Sequence, residues 1–252
     1  IDIEGEPLIL VGEFLTNLST ISKVIIIKGN HDVRKKNRNR VDTIDTAVTL
    51  LNNPNIIYYK KSGFYEDENV MWVVWDYLDK INPWKTFPTK KDPKFTYIDL
   101  YHNPVQNVML CNGYGFKKKN VSDIKDLKGD ISMLSDIHLH QSFMKGTKAY
   151  TSSMIQQNFG ESPEGHGYTL WDIPNKSFEF IELKNNYALV NFELKSPDDY
   201  DNLQLSSKYV VDHNKFRVIW SDYAANVNRE NELKIKRYLK DKYNVDDIRF
   251  QN

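Results

Sequence analysis

One short stretch constrains the fold of this chain more than any other. Residues 24–32 read Val-Ile-Ile-Ile-Lys-Gly-Asn-His-Asp. The run of β-branched side chains predicts a strand buried on both faces, as in a parallel sheet. Gly29 allows a sharp turn that brings Asn30 and His31 to the carboxyl edge of that sheet, where α/β folds bind ligands. An Asn oxygen can bind a hard cation, a His can donate a proton, and Asp32 can orient that ring. A plain polar turn after a strand is the alternative.

Size and composition narrow the class of protein. The chain has 252 residues, of which 40% are hydrophobic, and this suits one large domain or one domain with a smaller companion. Lys plus Arg and Asp plus Glu number 34 each, so bulk charge argues neither for nor against nucleic acid. A single cysteine, Cys111, excludes an internal disulfide framework and favours a reducing, cytoplasmic setting, including a nucleoid or a viral factory. No stretch approaches the ~20 apolar residues of a membrane span.

The order of predicted elements indicates a mixed α/β fold. Apolar spacing predicts helices over residues 7–20, 43–52 and 228–243, and strands over 24–27, 55–59, 70–75, 95–101, 130–134, 177–183, 188–194, 216–220 and 247–250. A helix feeding the strand at residue 24 is half of a βαβ unit, so we expect a further strand before residue 1. Because the chain also does not begin with Met, we expect it to be a piece of a longer protein, or a processed or partly sequenced one.

Two further segments carry side chains that can bind metal. His102 lies at the end of the predicted strand 95–101, next to a proline turn. Asp136, His138 and His140 alternate after the strand 130–134, and an extended backbone would place all three on one face. The alternatives are a structural histidine at position 102 and a solvent-facing polar strand edge at 136–140.

Two surface features could bind nucleic acid. Beside the first motif lie five cations, which could grip a phosphate backbone or form an ordinary solvated loop: Arg34, Lys35, Lys36, Arg38 and Arg40. Four aromatic residues, Trp72, Trp75, Tyr77 and Trp84, could stack on bases, although core packing is the more common use of such residues.

Taken together, these motifs resemble the calcineurin-like metallophosphoesterases. Gly-Asn-His-Asp at 29–32 is similar to the third signature motif of that family, and His102 resembles the fourth. Ser135-Asp136-Ile137-His138 resembles the fifth, Gly-His-x-His, with Ser and Asp replacing the first two residues. The blocks at 149–153, 156–161 and 165–173 resemble the SbcD branch, the nuclease subunits of DNA break repair. The resemblance implies an α/β metallophosphoesterase β-sandwich flanked by helices over 1–184. It also implies a small α+β capping domain, which helps hold DNA, over 185–252.

The resemblance also implies roles for individual residues. Two divalent metal ions are expected, Mn²⁺ first and Mg²⁺ as the alternative. Asn30, His102 and Asp136 would ligate one ion and His138 the other. His31 would stabilise the transition state or protonate the leaving oxygen, with Asp32 orienting it. A carboxylate at position 136 makes the site harder, which favours Mn²⁺ or Mg²⁺ over Zn²⁺. A decayed, metal-poor site is the alternative.

The first two family motifs, Asp-x-His and Gly-Asp-x-x-Asp, do not occur before Gly29, and we expect them upstream in the intact protein. The resemblance implies a metal-dependent exo- or endonuclease subunit, with DNA, a coiled-coil SMC-like ATPase and a second copy of the chain as partners, and no membrane. Two other functions stay open: a catalytically silent DNA-binding or scaffold subunit, and a phosphatase or small phosphodiesterase on the same fold.

Overall fold

The chain folds as mixed α/β structure, as its apolar pattern predicts. The computed structural model describes residues 5–33, 41–79, 81–87, 90–116, 121–202, 211–220 and 228–251. Contacts divide the chain into two compact units. Unit 1 comprises Ile1–Met109, Gly115–Thr151 and Trp171–Glu179, and unit 2 comprises Leu110–Tyr114, Ser152–Leu170 and Phe180–Asn252. The predicted boundary after residue 184 stays a prediction.

Unit 1 begins with a short α/β segment. Its elements are α1 (Gly5–Ile21), β1 (Val24–Ile26), α2 (Thr43–Leu51) and β2 (Ile56–Tyr58), and β1 pairs with β2 in parallel. The expectation that residues 24–27 are buried on both faces is wrong, because all four are only half-buried. Among the described residues, β1 has a strand on one edge only. Helix α1 also leaves apolar side chains such as Ile9 and Ile21 exposed.

A six-stranded mixed sheet forms the centre of unit 1. Its strands are β3 (Gly63–Asp67), β4 (Val70–Trp75), β5 (Thr96–His102), β6 (Ile131–Ser135), β7 (Gln141–Phe143) and β8 (Lys148–Tyr150), in the order β3-β4-β5-β6-β8-β7. A short helix, α3 (Pro83–Thr86), lies between β4 and β5. Strands β4, β5, β6 and β8 run parallel, and the two outer strands run antiparallel to their neighbours. The four parallel strands therefore end at one edge of the sheet.

The core of this sheet is organised around one buried carboxylate. Asp99 has no exposed surface, and it accepts hydrogen bonds from the indole N–H groups of Trp75 and Trp84, at 3.1 and 2.8 Å. The Gly129 N–H and the Ser132 hydroxyl donate to its other oxygen. Burial raises the pKa of Asp99, and the indole donors oppose that rise. Two of the four aromatics that could have stacked on bases are thus held in the core.

Unit 2 has its own core. The strands β9 (Gly167–Asp172) and β10 (Ser177–Glu182) pair with each other, and residues Trp171–Glu179 of this pair are assigned to unit 1. Unit 2 contains a parallel sheet, ordered β11-β12-β13, of β11 (Tyr187–Leu194), β12 (His213–Trp220) and β13 (Val245–Gln251). Helix α4 (Arg229–Lys242) starts at the N-cap Asn228, whose side chain accepts from the Asn231 N–H at 2.9 Å. Ile235 and Leu239 of α4 are fully buried and belong to one cluster with apolar residues of the sheet.

No helix in the described part of the chain is long and apolar enough to cross a bilayer.

Candidate functional site

The candidate site lies where two neighbouring parallel strands end. His102 is the last residue of β5 and Ser135 the last of β6, and the sheet register sets them side by side. His102 Nδ1 lies 2.5 Å from Ser135 Oγ, so the hydroxyl fixes the ring orientation. The other ring nitrogen, Nε2, lies opposite Asn30 Oδ1, which can only accept, so Nε2–H donates to it when the Ser135 hydroxyl donates to Nδ1. Ser135 therefore supports the imidazole, a role that the sequence did not suggest.

Asn30 and Asp136 meet this imidazole from two other positions in the chain. The Asn30 amide nitrogen donates to Asp136 Oδ1 at 2.9 Å, and Asn30 Oδ1 lies 3.3 Å from His102 Nε2. His102 Nε2 lies 3.7 Å from Asp136 Oδ1. Three of the four predicted metal ligands are thus brought together, although they come from segments far apart in sequence.

Gly29 makes the close approach of Asn30 and His102 possible. A Cβ atom at position 29 would lie 2.7 Å from both Cε1 and Nε2 of His102, which is closer than real Cβ contacts allow. The imidazole therefore packs directly on the glycine backbone.

Asp32 lies in the same turn. Its Oδ2 accepts from the Gly29 N–H at 2.7 Å and closes the turn that carries Asn30 and His31. No hydrogen bond joins Asp32 to the imidazole of His31 in the described part of the chain, and His31 is exposed. The carboxylate therefore shapes the turn, and direct orientation of His31 by Asp32 stays a prediction.

The backbone after β6 departs from the expected extended path. Asp136 has a φ of 90°, so the strand ends at Ser135, and the expectation that positions 136, 138 and 140 alternate on one extended face is wrong. Asp tolerates this region better than most residues, but the conformation is still strained. The turn aims Asp136 at Asn30, whereas His140 Nδ1 lies 2.8 Å from the Tyr150 carbonyl oxygen. His138 is exposed.

The electrostatics of the site favour a neutral His102. Burial lowers the pKa of this imidazole, Asp136 and Asp32 oppose the change, and the nearby His31 and His138 add to it. A neutral imidazole is the form that binds metal.

Oxygen and nitrogen atoms of the kinds that hard divalent ions accept meet at this site. Asn30 Oδ1 and Asp136 Oδ1 lie 3.3 and 3.7 Å from His102 Nε2, farther than the about 3 Å between neighbouring ligands of an octahedral ion at ~2.1 Å. The Asn30 amide nitrogen, which does not bind metal, faces Asp136. The described residues contain no group of three or more His, Cys, Asp and Glu side chains that could hold a metal ion. The candidate site has two such side chains and an amide, and the expectation of two ions stays a prediction.

The predicted nucleic-acid contacts Arg34, Lys35, Lys36, Arg38 and Arg40 lie outside the described residues. Of the four aromatic residues named in the sequence analysis, Tyr77 lies against the site, edge-on to His102 with ring centroids 6.3 Å apart.

Residues 153–166 contribute structural contacts within unit 2. His166 is buried, and its ring nitrogens lie 3.0 Å from Ser153 Oγ and 2.7 Å from the Ser162 carbonyl oxygen. The Gln156 side chain bridges the carbonyl oxygens of Glu161 and Leu189. These contacts give His166 and Gln156 a structural role within the loops of unit 2.

A buried ion pair beneath the site also escaped the sequence analysis. Lys28 Nζ lies 3.1 Å from Asp76 Oδ1, and both side chains are almost fully buried. The only sequence signal for this ion pair is a Lys that ends an apolar run directly before Gly29.

Comparison with known proteins identifies one similar viral protein. No family model matches the chain. An uncharacterized protein of Acanthamoeba polyphaga mimivirus is 35% identical to it in an alignment of 198 positions that covers 74% of this chain. The chain spans 14% of the length of that relative, so it is similar to a small part of a much larger viral protein.

Proposed function

We propose that this chain forms a divalent-metal site that hydrolyses phosphodiester bonds of DNA, within a calcineurin-like metallophosphoesterase fold of the SbcD branch. The convergence of Asn30, His102 and Asp136 carries the proposal. Each of the three residues lies in a segment that resembles a motif of one family. The three segments are far apart in the sequence, so their proximity in space is not a result of local chain geometry. The edge where parallel strands end is also where α/β folds bind ligands.

The ion would be held by oxygens of Asn30 and Asp136 and by a ring nitrogen of His102. This oxygen-rich set suits Mn²⁺ or Mg²⁺ better than Zn²⁺. A bound ion would supply positive charge that stabilises the phosphate in the transition state. We assign His138 to a second ion, for which the remaining ligands would come from outside the described residues.

Side chains of the chain itself perform the proton transfer in this proposal. His31 is exposed one residue beyond Asn30, and it would donate a proton to the leaving oxygen of the cleaved strand. Asp32 holds the Gly29 N–H, and it would keep His31 in place by stabilising the turn.

The wider proposal concerns partners. Residues 34–40 would bind the DNA backbone, and the α+β fold of unit 2 would act as a capping domain that helps to hold DNA. A coiled-coil ATPase and a second copy of the chain complete the proposed assembly, by analogy with the SbcD branch.

Cleavage of linear duplex DNA by the full-length protein tests the function. We expect Mn²⁺-dependent cleavage that EDTA abolishes and that His31→Ala lowers by about 100-fold or more, because a positioned acid contributes that much. His213→Ala is the matched control, since His213 is an exposed histidine of unit 2 that pairs with Asp246. Equal activity of the His31→Ala and wild-type proteins would remove His31 from the mechanism.

One observation favours a second candidate, a catalytically silent DNA-binding subunit. The described residues assemble two His or Asp ligands and one amide, fewer than a two-ion centre needs. Retained binding of DNA, measured by fluorescence anisotropy, together with no cleavage in Mn²⁺ or Mg²⁺, would support this candidate over the nuclease.

A further inference from the structure

The buried pair of Lys28 and Asp76 joins the two sheets of unit 1 beneath the candidate site. Lys28 follows β1, and Asp76 directly follows β4. Their charged atoms lie 3.1 Å apart, and the side chains are 10% and 6% exposed. Asp76 Oδ1 accepts no hydrogen bond from any described residue, so the Lys28 ammonium is what compensates that oxygen.

Each partner immediately precedes a residue that touches His102. Gly29 follows Lys28, and the His102 ring lies directly on its backbone. Tyr77 follows Asp76, and its ring lies edge-on to the same imidazole. The ion pair therefore ties together the two chain segments that contact His102.

The Asp76 end of the pair is itself held by a local network. The Asp76 N–H donates to Ser62 Oγ at 2.8 Å, and Asp76 Oδ2 accepts from the Asp79 N–H at 3.2 Å. Asp79 in turn accepts from both the N–H and the hydroxyl of Ser62. These hydrogen bonds hold the Asp76 carboxylate in place, and the carboxylate in turn positions the Lys28 ammonium.

A buried ion pair is a weak source of stability, because desolvation offsets most of the attraction between the charges. An apolar pair of similar volume would join the sheets at least as firmly. The pair does, however, fix the distance and orientation between the Lys28 and Asp76 segments, which apolar packing would define less strictly. Its position two residues before Asn30 is where such a constraint would act on the site.

We propose that Lys28 and Asp76 are positioning residues, which fix the Gly29–Asn30 turn and the Tyr77 ring against His102. The inference rests on the proposed function for its consequence, namely that the pair sets the affinity of the site for a divalent ion. Neither residue touches the ion or the substrate in this assignment.

The test uses the full-length protein and two readouts. The first is the imidazole ¹H–¹³C signal of His102 without metal, and the second is the Kd for Mn²⁺ measured by EPR titration. The double variant Lys28→Met/Asp76→Leu removes both charges and avoids leaving one buried charge uncompensated, so we expect it to fold. We expect its His102 signal to move and its Kd for Mn²⁺ to rise by about tenfold or more, as for other residues that support ligands.

Two controls separate positioning from general stability. Lys23→Met breaks the exposed pair with Asp67 at the opposite end of β1, and it should change neither readout. Asp76→Glu, which keeps a carboxylate for Lys28 and for the Asp79 N–H, should retain more of the wild-type signal and affinity than the apolar double variant. An unchanged His102 signal and Kd in the apolar double variant would overturn the inference, as would equal effects of Lys23→Met.

Failure of the proposed function gives a different result. A wild-type protein that neither binds Mn²⁺ nor cleaves DNA would end the metal proposal. A His102 signal that still moves in the double variant, and not in Lys23→Met, would even then support the positioning role.

Discussion

Gly29 is the residue on which the geometry of the candidate site depends most directly. Its missing Cβ is what allows the His102 ring to pack on the backbone. Gly29→Ala should push the imidazole away from Asn30 and lower the free energy of unfolding by about 1–3 kcal/mol, as overpacking does. Urea unfolding at pH 7 measures this change.

Gly12→Ala is the control for this substitution. Gly12 lies inside α1, and a Cβ there would meet only Leu51 Cδ2, at an ordinary 3.7 Å. Because Ala has a higher helix propensity than Gly, we expect the free energy of unfolding of this variant to rise by about 0.5–1 kcal/mol. The two Gly→Ala substitutions should therefore change the free energy of unfolding in opposite directions. A Gly29→Ala protein more stable than the wild type would contradict the packing of His102 on Gly29.

At the scale of elements, apolar spacing located most helices and strands. The strand predicted at 70–75 is β4 without change, and the helix predicted at 228–243 differs from α4 by one residue at each end. Strands β3, β7, β8 and β9 were missed. β7 and β8 have only three residues each, too few to show a period, and β3 and β9 carry no clear alternation. The burial of β1 was predicted wrongly, since burial depends on what covers a strand and not on the strand alone.

Asp130 connects two elements and gives a pH-dependent prediction. Its Oδ2 accepts from the Tyr97 N–H at 3.0 Å, and its Oδ1 pairs with Lys91 at 3.0 Å, so it joins the starts of β5 and β6. Burial alone would raise the pKa of Asp130, but the Tyr97 N–H and the Lys91 ammonium outweigh burial and lower it. Such a carboxyl adds stability above its unfolded pKa and loses that stability as the pH falls through its folded pKa.

Asp130→Asn should therefore cost about 1 kcal/mol at pH 7, a small value because the carboxyl is partly exposed. The difference from wild type should shrink as the pH falls below about 4. Urea unfolding at pH 7, 5 and 3 follows the trend. Glu66→Gln, at an exposed carboxylate 3.8 Å from Lys94, should have no effect at any of these pH values. An equal loss of stability in Asp130→Asn at pH 7 and at pH 3 would show that the charge of the Asp130 carboxylate is not its cause.

At the scale of the whole molecule, the sequence indicated which residues form the site but not how they meet. His102 and Asn30 are 72 positions apart, and Asn30 and Asp136 are 106 apart. Motif resemblance selected them, whereas the Lys28–Asp76 pair has no motif and no local pattern. Ion pairs between distant segments depend on strand order and register, which periodicity does not encode.

The two units give the last prediction, because each has its own buried core. Ile98 of β5 and Ile235 of α4 are both fully buried, the first in unit 1 and the second in unit 2. Truncation of either to Ala should cost about 2–5 kcal/mol in the unit that contains it. Hydrogen exchange should then show faster exchange in β4–β6 for Ile98→Ala, and in β11–β13 for Ile235→Ala. Only Ile98→Ala should disturb the His102 signal, since β5 carries that residue. Faster exchange throughout the chain in both variants would mean that the two cores unfold as one cooperative unit.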